Sequence, residues 1–211
     1  MSSAKGKSAV RVLSHRRVYD GKILALELDE IQEEGGSKAL REVVRHRGSV
    51  AALPVDDEGR LVLVRQYRHP VGQALWEVPA GVLEKGESPE QAIRRELEEE
   101  VGRRAAHLER LATFHPTPGF CDEVLHLFRA TRLEETAVHP DEDEVLEVKW
   151  YTLEEARRLL HAGEIKDAKT VIALLMESEQ RAGRGGWGAR SAPPLEERAR
   201  APFAHARKAR R

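Results

Sequence analysis

The sequence has a single cysteine, Cys121, among its 211 residues. One cysteine cannot form an internal disulfide, and it cannot supply a cysteine-rich zinc site. Long apolar runs are missing too, since none approaches the roughly 18 residues that a membrane span needs. No apolar stretch follows the lysines of the N-terminus, where a secretory signal would have one. We therefore expect a soluble cytoplasmic protein that does not engage a membrane.

A surplus of either charge is also missing, because 35 basic residues face 36 acidic ones. Taken whole, this balance argues against a protein built to bind polyanions. The charges are unevenly distributed, however, with +7 on residues 181–211 and −8 on residues 1–180. Residues 181–211 are rich in Gly, Ala, Pro and Arg, so we expect a disordered basic tail. Contact between this tail and nucleic acid is the less favoured alternative to a solvated tail.

Hydrophobic periodicity predicts a body of mixed strands and helices. Glycine-containing turns predict two hairpins, one pairing 24–32 with 39–45 and one pairing 49–53 with 61–65. Further strands are expected at 108–114, 123–129 and 145–151, and helices at 89–101, 153–162 and 167–180. The helices do not alternate regularly with the strands, which favours an α+β fold over a doubly wound parallel sheet.

The helix at 89–101 has the clearest boundaries. Ser88 suits the N-cap, Pro89 the first helical position and Gly102 the C-terminal stop, and Gln91 completes a capping box. An apolar face suited to packing on a sheet consists of Ala92, Ile93, Leu97 and Val101.

Three glutamates of this helix, Glu96, Glu99 and Glu100, lie at positions i, i+3 and i+4, so their carboxylates fall on adjoining turns. Their charges repel one another unless a cation lies between them. Carboxylate ligands without imidazole or thiolate favour hard ions, above all Mg²⁺ or Mn²⁺. Arg95 could orient Glu99 four residues later, and Glu87 could pair with Arg95. Taken alone, such an acidic run is more often a solvated helix face.

Seven positions together decide against that simpler interpretation. They resemble the signature of the Nudix hydrolases, a loop–helix–loop that binds metal and diphosphate, and they are Gly81, Glu87, Arg95, Glu96, Glu99, Glu100 and Gly102. A chance match is on the order of 10⁻⁵ to 10⁻⁴ at this composition. Arg103 departs from the signature, which has an aliphatic residue there. The resemblance implies a Nudix-type α/β/α sandwich with a mixed sheet at 46–180, preceded by a short β segment at 1–45.

A second set of residues is similar to the ADP-ribose pyrophosphatase branch of that family. Pro118 stands fifteen residues past Arg103, and the acidic loop 139–144 precedes a strand. The resemblance implies Mg²⁺-dependent hydrolysis of ADP-ribose to AMP and ribose 5-phosphate, with Mn²⁺ as an alternative metal. Another nucleoside diphosphate sugar, such as GDP-mannose, is the alternative substrate. The alternative from another class is a non-catalytic nucleotide- or RNA-binding Nudix module, which could dispense with the carboxylates that this chain keeps.

The resemblance also assigns roles to single residues. The expected metal ligands are Glu96, Glu99, Glu100 and the backbone carbonyl of Ala80. Glu99 and Arg95 are also counted as catalytic, and the general base is expected from residues 141–144. Its candidates are Glu142 and Glu144, with Asp141 and Asp143 as further choices.

On the substrate side the resemblance implies roles for Glu77, Pro118 and Glu123. Arg68 is the candidate for diphosphate contact, because a planar guanidinium matches phosphate oxygens. A surface salt bridge is an equally good interpretation of Arg68. In the similar family a comparable N-terminal segment helps to form a homodimer whose partner lines the adenosine site, so the resemblance implies a homodimer.

Overall fold

The computed structural model describes residues 10–137 and 146–183 of the chain. Within them are ten strands, three α-helices and a 3-10 turn at His69–Val71. The strands are β1 (Arg11–Asp20), β2 (Leu24–Gln32), β3 (Lys38–His46), β4 (Ser49–Pro54), β5 (Leu61–Arg68), β6 (Gln73–Glu77), β7 (Ala80–Val82), β8 (Arg103–Phe114), β9 (Leu125–Glu135) and β10 (Glu147–Tyr151). The helices are α1 (Pro89–Val101), α2 (Leu153–His161) and α3 (Ala168–Arg181).

The N-terminal strands form a separate antiparallel sheet in the order β1-β2-β3. β2 and β3 are the predicted hairpin, with Gln32 opposite Lys38, and β2 alternates buried and partly exposed residues as its sequence requires. β1 has almost no buried residue on either face, which explains why periodicity does not predict it as a strand.

The other strands form two sheets, a mixed one in the order β7-β4-β9-β8 and an antiparallel one in the order β10-β5-β6. β4 runs parallel to β9 and antiparallel to β7. The predicted hairpin of 49–53 with 61–65 is therefore wrong. The turn between them does close, through the bond from the Gly59 N–H to the Asp56 carbonyl, but both edges of β4 are already paired, so β5 joins the other sheet.

Residues of β4 alternate between two apolar cores, and all six are buried. Val50 and Ala52 face a cluster that contains Ile93 and Leu97 of α1. Ala51 and Leu53 face the cluster on the opposite side, to which α3 contributes Ala173 and Leu174. The sheet thus lies between α1 and α3, which confirms the predicted α+β fold with helices on both sides. Among the described residues, no helix is long and apolar enough to cross a membrane.

Several strand boundaries differ from the predicted ones. β6 is not predicted at all, β8 begins at Arg103 instead of 108, and β9 ends at Glu135 instead of 129. The added residues are largely polar, so their hydrophobic pattern is weak. They are strands because β8 and β9 pair along nearly their whole length, from Arg103 opposite Glu135 to Phe114 opposite Leu125.

Arg103, the departure from the Nudix signature, is accommodated by its surroundings. Its guanidinium lies 2.7 Å from Glu135 and 5.6 Å from the ring centroid of Trp150. The charge is paired, and the side chain covers an aromatic ring, so it packs where the signature has an aliphatic group.

Candidate active site

The helix of the predicted signature forms with the expected ends. The Ser88 side chain accepts a hydrogen bond from the Gln91 N–H, and the Gln91 side chain accepts one from the Ser88 N–H. Gly102 adopts a left-handed conformation with φ of 61°, as a C-cap glycine does. The predicted apolar face of Ala92, Ile93, Leu97 and Val101 is buried. With this face turned to the sheet, the glutamates lie beside the loop before the helix.

Arg95 lies at the centre of a cluster of carboxylates. Its Nε and Nη2 each lie 3.2 Å from an oxygen of Glu87 in the preceding loop. Its Nη1 donates to Glu96 at 2.7 Å and to Glu99 at 2.9 Å. Burial by itself would lower the pKa of Arg95, but Glu87 and Glu96 outweigh it and raise the pKa. The predicted pairing of Arg95 with Glu87 and Glu99 is thus present, and one guanidinium orients three carboxylates.

Glu87 keeps its charge through this pairing and through the backbone. Burial raises its pKa, and the hydrogen bonds from Arg95 and from the Glu84 N–H lower it by more, so the net shift is downward. Three carboxylates around one guanidinium leave a net charge of −2. Such a surplus suits a divalent cation.

Glu96 approaches the backbone of β7 so closely that any side chain at position 81 would displace its carboxylate. A Cβ built on Gly81 would lie 1.8 Å from the Glu96 Oε1. Glu100 is buried and accepts a hydrogen bond from the Ala80 N–H at 3.1 Å. Glu96 therefore reaches the strand at Gly81 and Glu100 reaches it at Ala80, while Glu99 is joined to Glu96 through Arg95. All three offer only oxygen donors, which fits a hard divalent ion. The ligand role of each residue, and of the Ala80 carbonyl, stays a prediction.

Another group of metal-type side chains lies in the N-terminal sheet. In the part of the chain that the structure describes, His15, Glu27 and Asp29 have ligand atoms within 4.8 Å of one another. Glu27 already receives Arg17 at 2.6 Å and Arg45 at 2.5 Å. Since arginines neutralise these carboxylates, the group is an ionic cluster that ties β1, β2 and β3 together.

Arg68 and Glu77 form a bidentate pair next to the signature. The Arg68 Nε and Nη2 donate to the two carboxylate oxygens of Glu77 at 2.8 and 2.9 Å. Glu77 is 2% exposed, so the salt bridge is buried at the carboxylate end. The hydrogen bonds that Arg68 donates to Glu77 are the largest cause of the rise in the pKa of Arg68, and the charge of Glu100 contributes as well. Arg68 is therefore within electrostatic range of the predicted metal ligands, and its contact with diphosphate stays a prediction.

Sequence reasoning did not identify three residues at the start of α3 that complete this region. Lys169 donates to both Glu77 and Asp167. Asp167 caps α3 through the Thr170 N–H, and the Val78 N–H donates to the Thr170 Oγ1. Burial raises the pKa of Glu77, yet Arg68 and Lys169 outweigh it and lower the pKa. The only sequence signal is an Asp followed by Thr three residues later, which marks a helix start and no site.

Pro118 lies away from the glutamates of α1, in a cavity of about 380 Å³. The cavity lies between β3 and the loop after β8, and no residue of α1 lines it. Backbone bonds join the two walls, from the Val44 N–H to the Phe120 carbonyl and from the Asp122 N–H to the Val44 carbonyl. Cys121 is half-buried here as a free thiol.

Glu123 lies at the end of this loop and accepts a hydrogen bond from the Ser49 Oγ at 2.5 Å. The backbone of His46 donates to the neighbouring Asp122. Glu123 is thus attached to the start of β4, and its substrate role stays a prediction. Glu142 and Glu144, the candidates for the general base, lie outside the described residues with Asp141 and Asp143.

Comparison with known proteins agrees with this geometry. The profile of the NUDIX domain matches residues 45–174, which is more than half of the chain, and the chain therefore belongs to the Nudix family. The resemblance to the Nudix hydrolases is thus confirmed.

Three relatives cover most of the chain. It is 41% identical over 166 residues to the ADP-ribose pyrophosphatase of Bacillus subtilis, covering 78% of this chain and 90% of that one. It is 39% identical to the methanol dehydrogenase activator of Bacillus methanolicus over the same shares. It is also 39% identical to the ADP-ribose pyrophosphatase of Mycobacterium tuberculosis, covering 77% and 80%. The expected similarity to the ADP-ribose pyrophosphatase branch is confirmed.

The fold of this chain is also similar to that of a solved structure. A crystal structure of an ADP compounds hydrolase superimposes with a TM-score of 0.75 at 25% identity. The match covers 86% of this chain and 99% of the other. The shared part therefore includes the Nudix domain and reaches beyond it.

Proposed function

We propose that this chain hydrolyses the diphosphate linkage of ADP-ribose to AMP and ribose 5-phosphate, with Mg²⁺ as its metal and Mn²⁺ as a substitute. The observation that carries the proposal is the cluster of Glu87, Glu96 and Glu99 around Arg95, with Glu96 directly over Gly81. The ADP-ribose pyrophosphatases among the relatives support the choice of substrate.

Hydrolysis of a diphosphate depends more on electrostatic stabilisation of the transition state than on a covalent intermediate with the protein. Negative charge spreads over phosphoryl oxygens in the transition state, so catalysis depends on positioning and electrostatics. Glu96, Glu99, Glu100 and the Ala80 carbonyl would hold the metal, which supplies Lewis-acid stabilisation of that charge. Arg95 fixes the orientation of two of these carboxylates, and Arg68 contacts the diphosphate.

The general base comes from the acidic loop before β10, with Glu142 or Glu144 in the role. Glu123 and Pro118 act on the substrate side. The support for these roles is the resemblance to the ADP-ribose pyrophosphatase branch. Alanine substitution at each position, followed by measurement of kcat and KM, distinguishes the general base from a binding residue. A base variant loses kcat, whereas a binding variant chiefly raises KM.

The substrate is tested with purified protein, Mg²⁺ and a panel of nucleotide sugars. We expect AMP to be released from ADP-ribose with a higher kcat/KM than for any other compound of the panel. Preferential cleavage of GDP-mannose would assign the alternative substrate, because both compounds share the scissile linkage. Absence of AMP release from ADP-ribose contradicts the proposal, and nucleotide binding without any hydrolysis supports a non-catalytic module.

The metal site is tested with Glu100→Gln. The amide keeps an acceptor for the Ala80 N–H but removes one negative charge, so we expect folding to persist while Mg²⁺-dependent turnover falls about a hundredfold. Glu98→Gln is the matched control, since Glu98 is on the same helix and pairs with Arg104 at the surface. Full Mg²⁺-dependent turnover by Glu100→Gln would contradict the proposed metal site.

We further propose that the protein is a cytoplasmic homodimer formed through its N-terminal sheet. The support lies in exposed apolar side chains on one face of that sheet, Tyr19, Leu24 and Leu40. Each of the three is at least 38% exposed, and contact with the same face of a second copy would cover them.

A further inference from the structure

The segment that leads into the Nudix signature is attached to the start of α3, 92 residues later in the chain. The Val78 N–H donates to the Thr170 Oγ1 at 2.8 Å, and the Thr170 hydroxyl donates to Asp167 at 2.6 Å. Thr170 is fully buried. Val78 is two residues from Ala80, so α3 holds the backbone that carries one of the proposed metal ligands.

Lys169 adds a charged link from the same turn of α3. Its ammonium lies between Glu77 Oε2 and Asp167 Oδ1, the second at 2.9 Å. The lysine side chain is 13% exposed, whereas Arg68 on the other side of Glu77 is 38% exposed. The same carboxylate of Glu77 thus binds a shielded cation from α3 and a more accessible cation from β5.

These contacts fix the guanidinium of Arg68. The ammonium of Lys169 holds one carboxylate oxygen of Glu77 in place, and the bidentate guanidinium of Arg68 lies in the plane of that carboxylate, so the position of Glu77 sets the position of Arg68. Two anions, Glu77 and Asp167, balance two cations, Lys169 and Arg68, so no buried charge is left uncompensated. Without Lys169, Glu77 keeps one cation and gains freedom to rotate, and Arg68 moves with it.

We propose that Lys169 is a positioning residue for the reaction, which holds Glu77 so that Arg68 presents its guanidinium to the diphosphate of the substrate. This inference rests on the proposed function, because it needs the contact between Arg68 and diphosphate. Lys169 does not touch substrate itself. Its effect therefore has to pass through Arg68.

A double-mutant cycle tests that dependence. We expect Lys169→Met to raise KM for ADP-ribose about tenfold and to change kcat by less than about threefold, as loss of a binding contact does. Arg68→Met should raise KM at least as much, and the double variant should be no worse than Arg68→Met alone. Additive effects, or wild-type kinetics for Lys169→Met, overturn the proposal. Lys166→Met is the control, as exposed Lys166 contacts only Gln73 at 3.4 Å among the contacts described for it.

Calorimetric binding of ADP-ribose in EDTA gives a readout that does not need turnover. We expect Lys169→Met to bind about tenfold more weakly than wild type, and Lys169→Arg to restore affinity and KM to within about threefold. If the wild type binds ADP-ribose without hydrolysing it, only the proposed function fails. If Lys169→Met binds as well as the wild type, only the role of Lys169 fails.

Folding is checked by thermal melting of each variant. Should Lys169→Met fail to fold, Lys169→Gln takes its place in the cycle, because its amide keeps a donor of similar length. The same non-additivity with Arg68→Met is expected, and additivity again overturns the proposal.

Discussion

Gly81 has a hydrogen atom where any other residue has a Cβ, and this leaves room for the Glu96 carboxylate. The carboxylate of Glu96 occupies the space where any other residue at position 81 would have its Cβ. The neighbouring Arg95 donates a hydrogen bond to Oε1 of the same carboxylate at 2.7 Å. The glycine of the signature is therefore needed because the Glu96 carboxylate approaches the backbone closely. Gly81 is not needed for an unusual φ angle.

Gly81→Ala should move the Glu96 carboxylate, because its Cβ would overlap Oε1 at 1.8 Å. We expect Mg²⁺-dependent activity to fall about a hundredfold, since a displacement near 1 Å can cost that much. The measurement is kcat/KM for ADP-ribose together with a thermal melt.

The control is Gly35→Ala in the loop between β2 and β3, where a Cβ would meet nothing within 4 Å. It should retain wild-type activity. If Gly81→Ala is as active as this control, Glu96 has no role that depends on its position.

At the scale of elements, α3 is held to the sheet by an ion cluster at its C-terminal half. Glu177 is fully buried and receives the Arg129 Nε from β9 and the Arg181 Nε from its own helix, both at 2.8 Å. Arg181 also donates to the Gly59 carbonyl in the turn after β4. Together with Thr170 near its start, the helix is attached at both ends.

Glu177→Gln should be destabilised by about 2 kcal/mol at pH 7, because the buried side chain loses the negative charge that strengthens its hydrogen bonds from Arg129 and Arg181. Burial raises the pKa of Glu177, but Arg129 and Arg181 outweigh it and lower the pKa below its ordinary 4.5. The stabilisation from this group is thus complete above about pH 4.5 and is lost as pH falls through the lower folded pKa. The variant should lose less stability than the wild type between pH 4.5 and pH 3.

Urea denaturation at pH 7, 4.5 and 3 measures both effects. Glu154→Gln is the control, since Glu154 is exposed and 3.9 Å from Arg158, where a surface pair contributes little. The same loss of stability on acidification in Glu177→Gln and wild type would contradict the role of this cluster.

At the scale of the whole molecule, the N-terminal sheet presents two different faces. Glu27 and Asp29 of β2 lie on one face with Arg17 and Arg45, and Arg45 also reaches Asp122 in the loop after β8. Strand register places Tyr19, Leu24 and Leu40 on the other face. The ionic face thus joins the sheet to the rest of the chain, and the other face leaves Tyr19, Leu24 and Leu40 exposed.

Leu40→Lys should shift the proposed dimer towards monomer, because it replaces an apolar side chain that is 61% exposed, and would contact the partner, with a charged one. Light scattering at micromolar concentration gives the mass. Leu175→Lys is the matched control, as Leu175 is 54% exposed but on α3. A monomeric wild type contradicts the dimer, and a dimeric Leu40→Lys excludes this face as its interface.

Local sequence was enough to predict the helix of the signature, its caps, its apolar face and the pairing of Arg95 with Glu87 and Glu99. These features depend on residues within about eight positions of one another, and helix geometry converts such spacing into contacts directly. The hairpin of β2 and β3 belongs with them, because a short turn sets its register.

The sheet that β5 joins and the residues that surround Arg68 depend on contacts between distant parts of the chain. β4 lies inside its sheet and pairs with β9, which is about 75 residues later in the chain. Because both edges of β4 are paired, β5 joins another sheet. Lys169 and Thr170 reach Glu77 and Val78 across 92 residues, and no periodicity in the sequence records a contact of that kind. The lone cysteine excluded an internal disulfide and a cysteine-rich zinc site. The surroundings of Arg68 could not be predicted in the same way, because they form through long-range pairing that depends on the whole fold.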